Sequence, residues 1–167
     1  MGLLKITILP KWLANRARKK PCSTVVLHAT AGSSLSGAIE TLLRRGISYH
    51  YIIDKCGLVT KCAPYTRVAY HAGKSHGPDG PSVNSYSVGI SFVNRNNGKD
   101  PYTEAQKTAA EELIKELVKA TPSLKYLTTH RQISWPRKND PVGFSSEAKK
   151  IAKSCGLRYW FKKEVPE

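Results

Sequence analysis

Apolar and β-branched residues form short runs along the chain, some with strand-like and some with helix-like spacing. Residues 23–29 (STVVLHA) are mostly apolar and lie between Pro21 and a Gly/Ser turn, which predicts a buried strand. Residues 34–46 place apolar side chains at helical spacing, with serines available to cap the helix and Gly46 placed to end it. The first part of the pattern therefore predicts a strand followed by a helix.

The pattern continues in the same way toward the end of the chain. Alternating runs at 48–54 and 57–62 are joined by a short turn, which is typical of a hairpin. Thr103 and Gln106 resemble a capping box, which begins a helix that ends before Pro122 and lays its apolar stripe on a sheet. Further strands are predicted at 87–93 and 125–130, a loop at 72–84 and a short helix at 145–155. These elements predict an α/β fold with a central mixed β-sheet flanked by helices.

The chain of 167 residues has the length and composition of one domain with its own core. We expect a single domain over residues 1–167, with a basic leader at 1–21, a core at 22–145 and a basic, aromatic tail at 146–167. Lysine and arginine number 27 against 12 acidic residues, which gives a net charge of +15. Such a field attracts nucleic acid, anionic lipid or a carboxylate-rich cell wall, and charge alone does not choose among them.

Neither a membrane span nor a secretory signal is predicted. No stretch approaches the roughly 20 apolar residues of a span, and the leader's cations follow its apolar start, the wrong order for a signal peptide. We therefore expect synthesis in the cytoplasm. The cysteines (Cys22, Cys56, Cys62 and Cys155) fit no paired spacing of a structural zinc site. Cys56 and Cys62 lie near a turn and could pair, but free, buried thiols are favoured in a cytosolic product.

Two histidines and one aspartate could form a metal site. His28 and His130 end predicted strands, and Asp140 follows in a proline-stiffened loop. Open α/β sheets place their sites at strand ends, and two imidazoles with one carboxylate form a tetrahedral zinc set that leaves the fourth place for water. From spacing alone, separate roles as a core histidine and a turn aspartate are favoured, because the separation fits no regular zinc signature.

Five motifs occur in order over about residues 23–141, and these are VVLHAT, SYHYIID, AYHAGKS, NSYSVGISFVN and THRQISWPRKNDP. In order and approximate spacing they resemble the type 2 N-acetylmuramoyl-L-alanine amidases. That family includes phage lysozyme-type endolysins, peptidoglycan-recycling amidases and peptidoglycan recognition proteins. The resemblance implies the family's α/β fold and hydrolysis of the bond between N-acetylmuramic acid and L-alanine in peptidoglycan.

The resemblance also implies a cofactor and a catalytic pair. The metal ligands would be His28, His130 and Asp140, holding one zinc ion (Zn²⁺) per chain. Lys138 matches a catalytic lysine, which would stabilise the oxyanion and help protonate the leaving amine. Tyr49 matches a tyrosine that would orient the attacking water. Taken without the resemblance, Lys138 is a solvated charge and Tyr49 a packing aromatic.

Other residues are assigned to substrate or to support. His71 matches a motif that lines the family's substrate groove, so we expect it to contact substrate together with Thr30, Asn84 and Ser91. A strand-end hydroxyl and a turn asparagine remain open as interpretations of Thr30 and Asn84. Recycling amidases carry a glutamate at the position of Ser91, so this serine and Tyr49 favour the phage-type enzymes. Of the remaining histidines, we expect His50 to be structural and His76 to be exposed.

These features predict a monomeric phage or prophage endolysin whose substrate is peptidoglycan. The alternatives are a cytosolic muropeptide-recycling amidase and a binding module without activity. No specific nucleic-acid partner is expected, because no helix-turn-helix or RNA-binding signature is present. The cationic ends could bind an anionic bacterial envelope or could only keep the chain soluble. Their cations are Lys11, Arg16, Arg18, Lys19, Lys20, Lys149, Lys150, Lys153, Arg158, Lys162 and Lys163, beside Trp12, Tyr159, Trp160 and Phe161.

Overall fold

A computed structural model of the chain describes residues 4–167; residues 1–3 of the predicted leader lie outside the described residues. The strands are β1 (Ile6–Ile8), β2 (Asn15–Arg16), β3 (Thr24–Ala29), β4 (Tyr51–Ile53), β5 (Val59–Lys61), β6 (Val68–Ala69), β7 (His76–Gly77), β8 (Gly80–Pro81), β9 (Ser87–Phe92), β10 (Tyr126–Thr129) and β11 (Arg158–Tyr159). Seven of them form one sheet in the order β1-β5-β4-β9-β3-β10-β11. Neighbouring strands of this sheet run parallel, except that β4 and β5, the predicted hairpin, run antiparallel. The sheet is therefore mixed.

In the described part of the chain four α-helices accompany the sheet, and these are α1 (Leu35–Arg45), α2 (Glu104–Ala120), α3 (His130–Ser134) and α4 (Ser145–Ser154). Local signals set their ends. The Ser34 hydroxyl accepts from the Gly37 amide at the start of α1, and Gly46 ends that helix in the left-handed region with φ 63°. Thr103 and Gln106 form the predicted capping box of α2. The predicted mixed sheet with flanking helices is confirmed.

The two faces of β3 pack against different partners, because successive side chains of a strand point to opposite sides. Val25 and Leu27 belong to a core cluster that also contains apolar residues of α2 and α4. Val26 packs in a separate cluster with Ala72 and Ile133. His28 follows Val26 by two positions and therefore lies on the face that α2 and α4 leave open.

The basic leader carries two strands, neither of which was predicted from the sequence. β1 pairs with β5 at one edge of the main sheet, and β2 pairs with β6. All three residues of β1 are exposed, although its sequence Ile-Thr-Ile has the apolar–polar alternation of a half-buried strand. The Arg18 guanidinium donates to the backbone oxygens of Tyr65, Arg67, Ser85 and Ser87 and is therefore structural rather than a free surface cation.

The tail and the cysteines also show differences. The tail adds β11 at the far edge of the sheet, and α3 begins directly after β10 where a loop was predicted. All four cysteines are free, as predicted, but Cys56 is exposed while the other three are buried. Within residues 4–167, no helix has both the length and the apolar character needed to cross a bilayer.

Candidate metal centre

His28, His130 and Asp140 meet at the end of the main sheet where the parallel strands β3 and β10 finish. His28 lies near the end of β3, and His130 is the first residue of α3, directly after the neighbouring parallel strand β10. The loop after α3 returns to this end of the sheet, because the Arg131 amide donates to the Asp140 carbonyl at 2.8 Å. The Ala29 amide also donates to Asp140 Oδ2 at 3.2 Å. Parallel strand ends therefore bring the three side chains together.

Three donor atoms of this cluster form a nearly equilateral triangle. His28 Nδ1 lies 3.0 Å from His130 Nδ1 and 3.4 Å from Asp140 Oδ2. The third side, from His130 Nδ1 to Asp140 Oδ2, is 3.3 Å. Ligand bonds of about 2.0–2.1 Å in a tetrahedral zinc site imply donor separations of about 3.3–3.4 Å. The donor set and its spacing therefore fit a zinc ion.

Hydrogen bonds on the far side of each ring determine which imidazole nitrogen is protonated and which points its lone pair into the triangle. His130 Nε2 lies 3.1 Å from the Ala72 carbonyl, which can only accept, so Nε2 carries the proton and Nδ1 is left free. His28 Nε2 lies 2.9 Å from His71 Nδ1, and His71 Nε2 lies 3.0 Å from Ser87 Oγ. A free lone pair on His28 Nδ1 requires Nε2 to donate to His71, which in turn donates to Ser87.

A tightly packed layer supports His71 from below. A Cβ atom at Gly89 would lie 2.5 Å from the His71 ring, so only glycine fits under it. His50 packs edge-on against His71, with ring centroids 5.9 Å apart. The Gly89 amide donates to His50 Nδ1, and His50 Nε2 lies 2.8 Å from the Arg67 carbonyl that Arg18 also binds. This confirms the structural assignment of His50 and makes Arg18 part of the support.

Burial favours the neutral form of His28, which is the form that binds a metal, and of His71 behind it. Burial, with the neighbouring His130, lowers the pKa of His28 to about 4, and burial lowers the pKa of His71 well below 6.5. Asp140 shows the opposing effects most clearly. Its burial acts to raise its pKa, but the close contacts with the His130 and His28 rings outweigh this and hold the pKa below its usual range.

A cavity of about 770 Å³ opens over the metal centre. Tyr49 and Lys138 both line it, and the Tyr49 ring centroid lies 5.0 Å from that of His28. Burial raises the pKa of Tyr49 to about 12, so its hydroxyl remains a hydrogen-bond donor at neutral pH. Both predicted catalytic side chains therefore stand beside the ligand triangle.

The predicted substrate residues divide between the cavity wall and the interior. Thr30, His71 and Asn84 line the cavity. The Asn84 side chain also accepts from the amides of His71 and Ala72, and Thr30 Oγ1 accepts from two backbone amides, so both shape the wall. Ser91 does not match its predicted role, because it is fully buried in β9 opposite His28 and is absent from the lining. His76 is exposed, as predicted.

Sequence reasoning missed two cationic residues of the cavity and the supporting role of His71. Arg45 and Arg137 both line the cavity. Arg45 lies in the last turn of α1, just before the motif SYHYIID, and Arg137 directly precedes Lys138. Their closeness in sequence to motifs that carry predicted site residues was the one signal for them. His71 was assigned to substrate alone, although both its ring nitrogens are engaged by His28 and Ser87.

The fold and site define an α/β protein with three side chains that could hold a metal ion at the strand ends of a mixed sheet. Residues 18–143 match the family described as N-acetylmuramoyl-L-alanine amidase, and the chain belongs to that family. It is 30% identical over 97 residues to the 1,6-anhydro-N-acetylmuramyl-L-alanine amidase AmpD of Haemophilus influenzae, covering 57% of this chain and 52% of AmpD. The chain thus spans about half the length of the curated relatives it matches.

Solved structures support the fold independently. The amidase AmiD of Escherichia coli, in complex with anhydro-N-acetylmuramic acid-L-Ala-D-γ-Glu-L-Lys, aligns with a TM-score of 0.71 at 22% identity and covers 89% of this chain and 63% of AmiD. The endolysin LysCS of Clostridium intestinale aligns with a TM-score of 0.70 at 22% identity and covers 94% of this chain and 99% of LysCS. At such identities the likeness shows the fold alone.

Proposed function

We propose that the chain is a zinc-dependent amidase that hydrolyses the bond between N-acetylmuramic acid and L-alanine in peptidoglycan. The observation that carries this proposal is the donor triangle of His28, His130 and Asp140, whose sides of 3.0, 3.3 and 3.4 Å suit one tetrahedral zinc ion. Zinc in such a site lowers the pKa of a coordinated water and polarises a carbonyl. Membership of the amidase family supports the choice of substrate bond.

The two remaining catalytic side chains have complementary chemistry. The Lys138 ammonium lines the cavity two positions before Asp140, where it can stabilise the developing oxyanion and then donate a proton to the leaving amine. The Tyr49 hydroxyl, kept protonated by burial, can hold the attacking water in position. The protein therefore supplies orientation and charge around the reacting carbonyl.

Within this activity, we assign the chain to phage-type endolysins that lyse a host cell. Tyr49 lines the cavity, and the serine at position 91 stands where recycling amidases carry a glutamate. A recycling amidase is the second candidate, and the names of the AmpD relatives support it. A binding module without activity is disfavoured, because the complete ligand set is present.

The activity is tested by mass spectrometry of purified peptidoglycan after digestion. The expected products carry a free lactyl group on the sugar and a new amine on L-alanine. Purified protein should hold one zinc ion per chain, and His28→Ala, His130→Ala and Asp140→Ala should each lose metal and activity together. His76→Ala is the matched control for metal content, because this exposed histidine lies outside the metal centre. Equal digestion by the metal-free protein would refute the zinc mechanism.

The endolysin role is tested by comparing two substrates. An endolysin should release stem peptides from intact, polymeric cell wall at rates similar to those on soluble fragments. A recycling enzyme should instead prefer small fragments that end in a 1,6-anhydro sugar. A strong preference for the anhydro fragments over wall would therefore favour the recycling assignment and leave the amidase proposal intact.

A further inference from the structure

A second cavity of about 610 Å³ adjoins the cavity over the metal centre. The two share four lining residues, and these are Gly73, Trp135, Pro136 and Arg137. They therefore form one continuous trough, with Arg137 at the junction. None of the residues assigned to catalysis or metal binding lines the second cavity, so the proposed chemistry does not explain it.

The Arg137 side chain is fixed at this junction by backbone contacts. Its Nη2 atom lies 2.6 Å from the Ala72 carbonyl, 2.9 Å from the Lys74 carbonyl and 3.1 Å from Ser134 Oγ. A Cβ atom on Gly73 would lie 3.1 Å from the same nitrogen, so glycine allows the close approach. These contacts use one of the three guanidinium nitrogens, and the exposed remainder can donate to a ligand.

The second cavity is lined by cations without acidic partners. Lys74, Arg137 and Lys162 line it, and no aspartate or glutamate does. Within residues 4–167, none of these three cations forms an ion pair. Positive charges gathered in a concave site raise the local concentration of anions. The cavity therefore favours a negatively charged ligand.

An aromatic platform lies beside these cations. The Trp135 side chain is 39% exposed and lines both cavities. The Arg131 guanidinium stacks on its ring, 4.6 Å from the centroid, which fixes the indole in place. Ile133 adds an apolar surface to the lining. A ligand here would combine an anionic group with an apolar or ring-shaped part.

We infer that the second cavity binds a carboxylate of the peptidoglycan peptide stem, an inference that rests on the proposed function. The stem in the AmiD complex contains a γ-linked D-glutamate, and a γ-linkage leaves the α-carboxylate free. Arg137, Lys74 and Lys162 supply charge-assisted hydrogen bonds to such a group. The carboxylate belongs either to the far part of the cleaved stem or to the stem on a neighbouring sugar of the polymer.

The inference is tested by changing the charge on both sides of the contact. Muropeptides with a free stem carboxylate are compared with the same muropeptides in amidated form, and binding is measured by calorimetry alongside turnover. The wild-type protein should bind the carboxylate form about tenfold more tightly, as for one charge-assisted hydrogen bond. The double variant Lys74→Gln/Lys162→Gln should lose most of this preference. Lys99→Gln/Lys125→Gln removes the same charge outside both cavities and should keep it.

The outcomes separate this inference from the proposed function. Cleavage with an unchanged carboxylate preference in Lys74→Gln/Lys162→Gln would overturn the inference alone. Carboxylate-dependent binding without any cleavage would refute the amidase proposal and retain the cavity assignment. Substrates with one stem and with two stems distinguish the sources, because a neighbouring-stem contact gives the preference only when two stems are present. Zinc content and thermal unfolding verify that each variant is folded.

Discussion

Removing the His71 ring should weaken zinc binding, although His71 is not expected to touch the metal. Its Nδ1 atom lies 2.9 Å from His28 Nε2, and this contact orients the His28 ring and fixes its tautomer. In His71→Ala the buried His28 Nε2–H group loses its acceptor. Loss of such an outer hydrogen bond typically lowers metal affinity about 10–100-fold, which corresponds to about 1.4–2.7 kcal/mol.

The measurement is a competition titration against a chromogenic zinc chelator at neutral pH. His71→Asn should recover much of the affinity, because its amide oxygen can accept from His28 where Nδ1 did. Gly89→Ala should reproduce part of the loss without touching either histidine, since its new Cβ would meet the His71 ring at 2.5 Å. His76→Ala replaces an exposed histidine and should bind zinc like the wild type.

A purely structural role for His71 predicts a different result. Loss of packing would lower the unfolding midpoint of all three variants at positions 71 and 89, with no recovery of metal affinity in His71→Asn. Wild-type zinc affinity in a folded His71→Ala protein would refute the orienting role. It would also show that the hydrogen bond between His71 and His28 contributes nothing to the metal centre.

Three further predictions concern catalysis, pH and surface charge. Lys138→Ala and Tyr49→Phe should retain zinc but turn over more slowly, Lys138→Ala by about a hundredfold, and full activity of Lys138→Ala would return it to a solvated charge. Urea unfolding of the metal-free protein should show falling stability from pH 6.5 to pH 5. Burial lowers the pKa of His50 in the folded protein to about 3, so over this pH range the unfolded chain binds more protons at His50 than the folded chain does. The free energy of unfolding should therefore fall by up to about 1.4 kcal/mol for each pH unit. Added salt should slow digestion of whole cell wall more than cleavage of a small muropeptide. Equal salt sensitivity of the two reactions would exclude docking on the wall through the exposed leader cations Arg16, Lys19 and Lys20.

Elements with local signals were predictable from the sequence. Gly46 ends α1 and the Thr103–Gln106 box begins α2 because both act within one helical turn. The buried strands β3 and β9 were visible as apolar runs. In contrast, β1 was missed: its Ile-Thr-Ile alternation covers only three residues, all of them exposed, and the strand is held by pairing with β5 rather than by burial.

The candidate site could be predicted only through the resemblance. His28 and His130 are 102 residues apart, and their Nδ1 atoms meet because β3 and β10 are adjacent parallel strands. Spacing alone favoured separate roles, since strand order cannot be read from a linear pattern. The supporting role of His71 depends on its 2.9 Å contact with His28, a tertiary feature that its motif does not reveal.

The structure divides the net charge of +15 among residues with different functions. Arg18 binds four backbone carbonyls and supports the loops beneath His50 and His71, so its charge is largely shielded from solvent. Lys149 and Lys150 of the tail pair with glutamates, which reduces their attraction for an external anion. Cations that form no ion pair among the described residues also line the two joined cavities, where a concave wall brings their charges together. Anion binding by this protein should therefore be strongest along the trough, and Arg18, Lys149 and Lys150 should add little to the attraction at its two ends.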